Sequence, residues 1–388
     1  MSHLKANYNY PSNYRLGAGR VSELPELCLQ RGIRRPLVVT DSTVCQLPWF
    51  GEVVASLNVA LTSVSVFSDL RSNPVARDVS AGVAVCRREK CDAVVLLGGG
   101  AAMDVGKCVA LMVNASGNLF DYEDVGDNWT KIDADRILPM IALPTTAGTG
   151  SEVGRASVIV NEQGEKKIIF HPRMQPTDVI ADPLLTVGLP PGLTAYTGMD
   201  AFIHCFEAWC AVGFHPMADG IALEGMRLIA SALPRALKDG TDVEARTSML
   251  IASSMGATAF QKGLGVVHAI SHALGGKLDV HHGLANAILL PYCMVFNRPA
   301  IDERCSVLAR HLGLASPSFD GLLEWTLKRR DKWGIPHSLG SIENMSEEKA
   351  VELAPLALSD PALSGNPRPA LLDDLSSILR CAYEGRLE

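Results

Sequence analysis

The first half of the chain alternates short apolar runs with helical patterns, and this constrains the fold more than any other feature. Apolar runs lie at 35–40 (RPLVVT), 61–67, 93–97 and 137–143. Helical patterns fill the spaces at 75–90, entered after Asn73-Pro74, and at 101–113. Parallel strands must be joined by long crossovers, so this order predicts βαβ units: a parallel, Rossmann-like sheet with helices on both faces. Runs at 158–160 and 167–170 around Gly164 read as an added hairpin, and 178–181 as one more strand. From Leu193 onward strand patterns vanish. Periodicity near 3.6 recurs at 195–211, 217–236, 243–260, 283–296, 300–313, 319–333, 346–358 and 370–385. The reading is an α/β dinucleotide-type domain over 1–183, ending near Asp182-Pro183, and an all-helical domain over 184–388.

Composition narrows the function classes. A net charge of -7 over 388 residues, with no basic run interleaved with aromatics, argues against nucleic acid as a partner. The first twenty residues lack an apolar core, so no secretory leader is expected, and no apolar run is long enough for a membrane span. The ten cysteines show no C-x-x-C pair and no framework spacing, which suits buried thiols in a reducing, cytoplasmic compartment.

Two loops at strand ends carry binding chemistry. Gly98-Gly99-Gly100 follows a strand and opens a helix, where bare backbone N–H groups can meet a pyrophosphate, or where glycine serves a tight turn alone. G-x-G-x-x-G is absent. Asp41, at an earlier strand's end, is placed either to accept from an adenosine ribose or to cap a helix. Asp104 and Lys107 follow on the glycine-loop helix, facing a nicotinamide or acting as cap and surface charge. The loop Thr145-Thr146-Ala147-Gly148-Thr149-Gly150-Ser151 offers hydroxyls to phosphate, ribose or amide, or forms a Ser/Thr-rich turn.

Metal chemistry is concentrated in the helical half. Four of the ten histidines lie between His268 and His282. His268 and His272 are one helical turn apart, and His281 and His282 follow a Gly-Gly break before a second apolar helix. In TAYTGMDAFIHCFEAW, Asp200 and His204 share one face of an apolar helix, where a carboxylate needs a partner. Asp200, His204, His268 and His282 together form a one-carboxylate, three-imidazole set suited to Fe(II) or Zn(II). Glu207, one turn beyond His204, reads as a structural partner.

The motifs GGGAAMDVGK (98–107), PTTAGTGSEV (144–153), TGMDAFIHCFEAW (197–209), GLGVVHAISHALGG (263–276) and HHGLANAILLP (281–291) occur in one order along nearly the whole chain. In this the sequence resembles the iron-containing (group III) alcohol dehydrogenases. The resemblance implies an N-terminal dinucleotide domain, a C-terminal helical domain and a metal in the cleft between them, with a homodimer or higher homo-oligomer as the assembly. It implies Asp200, His204, His268 and His282 as ligands of a divalent metal, Fe(II) ahead of Zn(II). It places His272 near substrate and nicotinamide, and lines the cofactor with Asp41, Gly98, Gly99, Gly100, Asp104, Thr145, Thr146, Thr149 and Lys166. His281 has no assigned role. The dehydroquinate-synthase-like lyases and glycerol-phosphate dehydrogenases share this architecture and are the alternative. An inert metal or nucleotide sensor is the rival from another class.

The expected chemistry is reversible hydride transfer between a primary alcohol and NAD, with NADP disfavoured by the carboxylate of Asp41. A divalent ion held by a single carboxylate acts as a Lewis acid on the alcohol or aldehyde oxygen. His272 is the candidate proton relay, because imidazole exchanges protons near neutral pH. Three positions depart from the family pattern. Ala101 stands where a serine is frequent, and Arg155 and Lys262 are cations on segments expected to border the substrate, beside Phe260. Unless an internal acid meets them, they suggest an anionic tail on the substrate, with 4-hydroxybutyrate as the concrete case.

Overall fold

The computed structural model describes residues 12–387, so the first eleven positions of the segment read for a leader lie outside it. Two compact units emerge: one reaches to Gly188 and includes Thr241–Ser254, the other holds Leu189–Gly240 and the chain from Met255 on.

In the first unit the strands are β1 (Asn13–Leu16), β2 (Pro36–Val39), β3 (Ser65–Phe67), β4 (Ala93–Gly98) and β5 (Met140–Pro144), then a hairpin of β6 (Ala156–Val160) and β7 (Lys166–Phe170), then β8 (Asp178–Ala181). Six of them form one parallel sheet in the order β1-β8-β5-β4-β2-β3, while β6 and β7 pair antiparallel. Helices α1 (Leu24–Gln30), α2 (Pro48–Ala60), α3 (Ala76–Arg88) and α4 (Gly100–Met112) cover the faces. Side-chain alternation divides the work. Val38, Val95, Leu97, Ile141 and Ile180 pack with Leu27, Phe50 and Leu57 of α1 and α2. On the opposite face Val39, Val94 and Leu96 meet α4 at Gly106. Burial on both faces explains why the strands read as continuous apolar runs rather than alternating ones.

Two strand readings need correction. The run 61–67 is a strand only from Ser65, because the Leu61 N–H closes the end of α2 on Leu57 and Thr62 turns back to the Arg34 carbonyl. Strand β1 had no counterpart in the sequence reading: Asn-Tyr-Arg-Leu at a half-buried edge carries no apolar run.

The second unit is helical: α5 (Pro191–Cys210), α6 (Pro216–Lys238), α7 (Val243–Ala259, whose residues to Ser254 group with the sheet), α8 (Val266–Leu278), α9 (His282–His311), α10 (Phe319–Lys332), α11 (Glu347–Val351), α12 (Ala354–Leu358) and α13 (Leu372–Glu384). Helix α5 is buried along most of its length and packs on α6 and α9, while α8 packs on α9 and α12. Gly275-Gly276 does not break α8. The turn comes at Asp279, in the left-handed region at φ 53°, a conformation aspartate tolerates better than most residues. Two helices expected at 283–296 and 300–313 are the single helix α9, which runs through Pro291 and Pro299. A proline inside a helix costs about 3 kcal/mol. Buried residues on both sides of Pro299, Tyr292 to Met294 before it and Ile301, Cys305 and Leu308 after it, hold the helix through it. Among the described residues, no helix is long and apolar enough to cross a membrane.

Candidate active site

Helix α5 sets Asp200 and His204 one turn apart on a buried face, α8 adds His268, and α9 opens with His282. The close approach of α9 to α5 depends on Gly283, where a Cβ would stand 2.5 Å from the Tyr196 carbonyl oxygen and 3.4 Å from the Asp200 Cβ. One donor atom from each of Asp200, His204, His268 and His282 lies within 4.8 Å of the others. Oδ1 of Asp200 is 3.6 Å from His282 Nε2 and 3.9 Å from His268 Nε2, and its Oδ2 is 4.0 Å from His204 Nδ1. One carboxylate and three imidazoles, converging, with all but the half-buried His282 buried, suit a divalent transition metal.

The surroundings orient these donors. Glu207 Oε2 lies 2.6 Å from His268 Nδ1. The same carboxylate accepts the N–H groups of Gly265 (3.0 Å) and Val267 (2.8 Å) at the start of α8, where a negative charge meets unpaired helical N–H groups. With its Nδ1 hydrogen held by Glu207, His268 presents a bare Nε2 to the centre, as metal-ligating histidines usually do. Ser271 Oγ is 3.2 Å from His282 Nδ1. Phe260 sets its ring 5.2 Å from that of His204.

His272 stands outside the four-donor set, its ring 5.5 Å from that of His282, and its Nδ1 is 2.9 Å from Asp360 Oδ2. Asp360 also caps the short helix Pro361–Gly365 through the Ala362 N–H. His281 is the cap of α9, its Nδ1 accepting the Leu284 N–H. The sequence reading missed Asp360, which lies 88 residues from its partner in a loop with no periodic signal. It also missed Asn286, although that residue follows His282 by one turn.

In the sheet unit the two binding loops are brought together. The Thr145 N–H donates to the Gly98 carbonyl at 3.0 Å. A Cβ on Gly99 would stand 3.3 Å from Thr146 Oγ1, and one on Gly100 only 2.7 Å from Thr149 Cγ2, so a side chain at Gly100 would have to displace Thr149. Asp41 follows β2 at the point where the chain order reverses, β2 lying between β3 and β4, the usual ligand crevice of an open parallel sheet. Its Oδ1 accepts the Thr43 and Val44 N–H groups at 2.9 Å each. Its Oδ2 is directed toward Gly98, 3.7 Å from where a Cβ there would be.

Asp104 and Lys107 both engage the threonine loop. Asp104 uses both oxygens within the fold, Oδ1 accepting from Ser151 Oγ (2.7 Å) and Oδ2 from the Val158 N–H (3.0 Å). Lys107 is fully buried rather than surface charge, donating to Ser151 Oγ at 2.6 Å and to the carbonyls of Ser151 and Ala156. Burial pulls its ammonium down from the ordinary lysine value. Lys166 begins β7 opposite Val160.

Lys262 is paired inside the fold. Its Nζ is 2.6 Å from Asp219 Oδ1 and 3.2 Å from the Trp209 carbonyl, with the side chain 1% exposed, so an internal acid meets it. Arg304 approaches the same Asp219 at 3.5 Å, which leaves the cluster one positive charge in surplus. Arg155 places its guanidinium 5.5 Å from the centre of the Phe170 ring. Glu152, the acid expected nearby, accepts instead from Ser254 Oγ at 2.6 Å.

Comparison with known proteins decides the family. Residues 11–183 match the model "Iron-containing alcohol dehydrogenase", and residues 194–383 match "Fe-containing alcohol dehydrogenase family, C-terminal". The chain is 38% identical over 380 residues to 4-hydroxybutyrate dehydrogenase of Cupriavidus necator, covering 95% of this chain and 98% of that one. It belongs to the iron-containing alcohol dehydrogenase family. Two solved structures agree. A 1,3-propanediol oxidoreductase superposes with a TM-score of 0.91 at 33% identity, covering 98% of this chain and 100% of the other. Sulfoacetaldehyde reductase from Bifidobacterium kashiwanohense in complex with NAD+ gives a TM-score of 0.86 at 30% identity, covering 97% and 98%. As a member of this family the protein is a metal-dependent, nicotinamide-linked alcohol dehydrogenase that interconverts an alcohol and its aldehyde. The family matches favour this over the lyase and glycerol-phosphate readings.

Proposed function

We propose that the enzyme interconverts a short ω-hydroxy acid, 4-hydroxybutyrate in the concrete case, and its semialdehyde, with NAD as hydride carrier. The divalent ion, Fe(II) ahead of Zn(II), is held by Asp200, His204, His268 and His282. The observation that carries the substrate is the near full-length likeness to a 4-hydroxybutyrate dehydrogenase. The surplus positive charge shared by Lys262 and Arg304 agrees with an anionic tail, acting through its field because Lys262 Nζ is already engaged. Phe260, on the same helical unit, belongs to the proposed substrate side. NAD rests on Asp41, whose Oδ2 suits free ribose hydroxyls and repels a 2′-phosphate, and on the NAD+ complex of the reductase.

When bound, the divalent ion supplies Lewis acidity toward the alcohol or aldehyde oxygen, and the nicotinamide carries the hydride. One carboxylate among three neutral imidazoles keeps the centre positive. Phe260 shields it from water. His272 takes the proton released from the alcohol on Nε2, while Asp360 holds the Nδ1 hydrogen and fixes the ring. Gly98, Gly99, Gly100, Thr145, Thr146, Thr149 and Lys166 line the dinucleotide, and Asp104 anchors the threonine loop through Ser151. A homodimer or higher homo-oligomer in the cytoplasm belongs to the same proposal. Ten free cysteines are in keeping with a reducing compartment.

The test is anaerobic purification with metal analysis, then kcat/KM with NAD for 4-hydroxybutyrate and 1-butanol. A preference for the hydroxy acid of about tenfold or more, shrinking in Lys262→Ala, supports the reading. Equal or better use of 1-butanol removes it, and an unchanged ratio in Lys262→Ala removes the field argument.

A further inference from the structure

Asn286 follows His282 by four residues on α9, so both side chains leave the helix on one face. It is fully buried, and its carbonamide sits among the proposed metal donors. Nδ2 is 2.7 Å from Asp200 Oδ1, 3.3 Å from His268 Nε2 and 3.2 Å from His282 Nε2. Among the described residues the amide oxygen has no hydrogen-bond partner. A buried polar oxygen without a donor is unfavourable, so the fold tolerates this arrangement in return for what the amino end does.

What that end does follows from its neighbours. His268 has its Nδ1 hydrogen committed to Glu207, so its Nε2 presents a lone pair. Asp200 Oδ1 therefore faces acceptors, and the Asn286 amino group is the donor that reaches it at the shortest distance. Aspartate at 286 would set a second carboxylate against Asp200, and an apolar residue would leave Oδ1 without that donor. Resting on the metal-centre reading above, we infer that Asn286 is a positioning residue of this centre. It clamps the Asp200 carboxylate by one oxygen and fixes the direction in which it meets the three imidazoles. Being one turn from His282, it also ties α9 to α5 at the site.

The test uses the full-length protein with Co(II) as probe, comparing wild type with Asn286→Ala and the similarly branched Asn286→Leu. Co(II) affinity is measured by competition with a chelator, the visible Co(II) band is recorded, and metal-free thermal unfolding is followed. The expected result is an affinity loss of about 10–100-fold in the folded variants, with the band intensity kept and metal-free unfolding changed little. Affinity within about twofold of wild type in either folded variant overturns the inference. A rise in band intensity confined to the variants also overturns it, since a lowered coordination number would make the amide a ligand rather than a clamp. Wild-type protein that takes up no Co(II) at all would instead bring down the metal-centre reading itself.

Discussion

Nδ1 of His272 lies 2.9 Å from Oδ2 of Asp360 and makes a carboxylate–imidazole pair beside the four-donor centre. Such a pair fixes one tautomer and directs Nε2 outward, which is what proton transfer to and from a substrate needs. His272→Ala should lower kcat by about 10²–10⁴-fold, and Asp360→Asn by less, because the ring remains. Metal content measured alongside should stay at the wild-type level in both. If metal is lost and turnover follows the residual metal, His272 is a ligand.

Metal removal tests the centre directly. Dialysis against a chelator should abolish turnover and lower the unfolding temperature, because a ligand bound only by the folded state stabilises it by about 4 kcal/mol at a thousandfold excess over Kd. Fe(II) or Zn(II) should restore both properties. In His204→Ala, whose ring stacks on His268 with centroids 4.6 Å apart, neither metal should restore turnover. Full activity after chelation with no metal detected would refute the centre.

Asp41 ties a turn and a cofactor preference to one side chain, since Oδ1 caps two backbone N–H groups and Oδ2 is left toward Gly98. Asp41→Gly should therefore cost only about a few tenths of a kcal/mol of stability. It should also raise the NADP-to-NAD ratio of kcat/KM by at least about tenfold. Steady-state kinetics with both dinucleotides checks the second effect, and an unchanged ratio would leave Asp41 as a cap alone.

How much was legible depends on whether the signal was local. The parallel sheet was legible because β2, β4 and β5, buried on both faces, are written as unbroken apolar runs. The donors were legible because Asp200 and His204 repeat at helical spacing, and His268 and His282 flank one short turn. Asp360 and the Lys262–Asp219 pair were not, since each joins segments whose meeting only the packed fold determines. Edge strand β1 was hidden by its polar composition, and the continuity of α9 by Pro299, whose local preference tertiary packing overrides.

A buried carboxyl next to the threonine loop, Glu152, makes stability depend on pH. Tyr14 OH donates to Ser254 Oγ at 2.8 Å, and Ser254 donates to Glu152 Oε1 at 2.6 Å. Glu152 is fully buried, and desolvation raises its pKa above the ordinary value of 4.5, with Lys107 nearby opposing the shift. Below that value the carboxyl is protonated in the folded and unfolded chain alike. As pH rises past it, the unfolded chain ionises first, so stability falls until the folded carboxyl has ionised too, and then levels. Glu152→Gln keeps an acceptor for Ser254 and removes the ionisation. Its stability should match wild type near pH 4 and exceed it near neutrality, with a flatter profile between. Lys107 retains Asp104 at 3.6 Å as a counter-charge in the variant. Denaturant unfolding across that range is the measurement, and parallel profiles for the two proteins would show that Glu152 is not the group responsible.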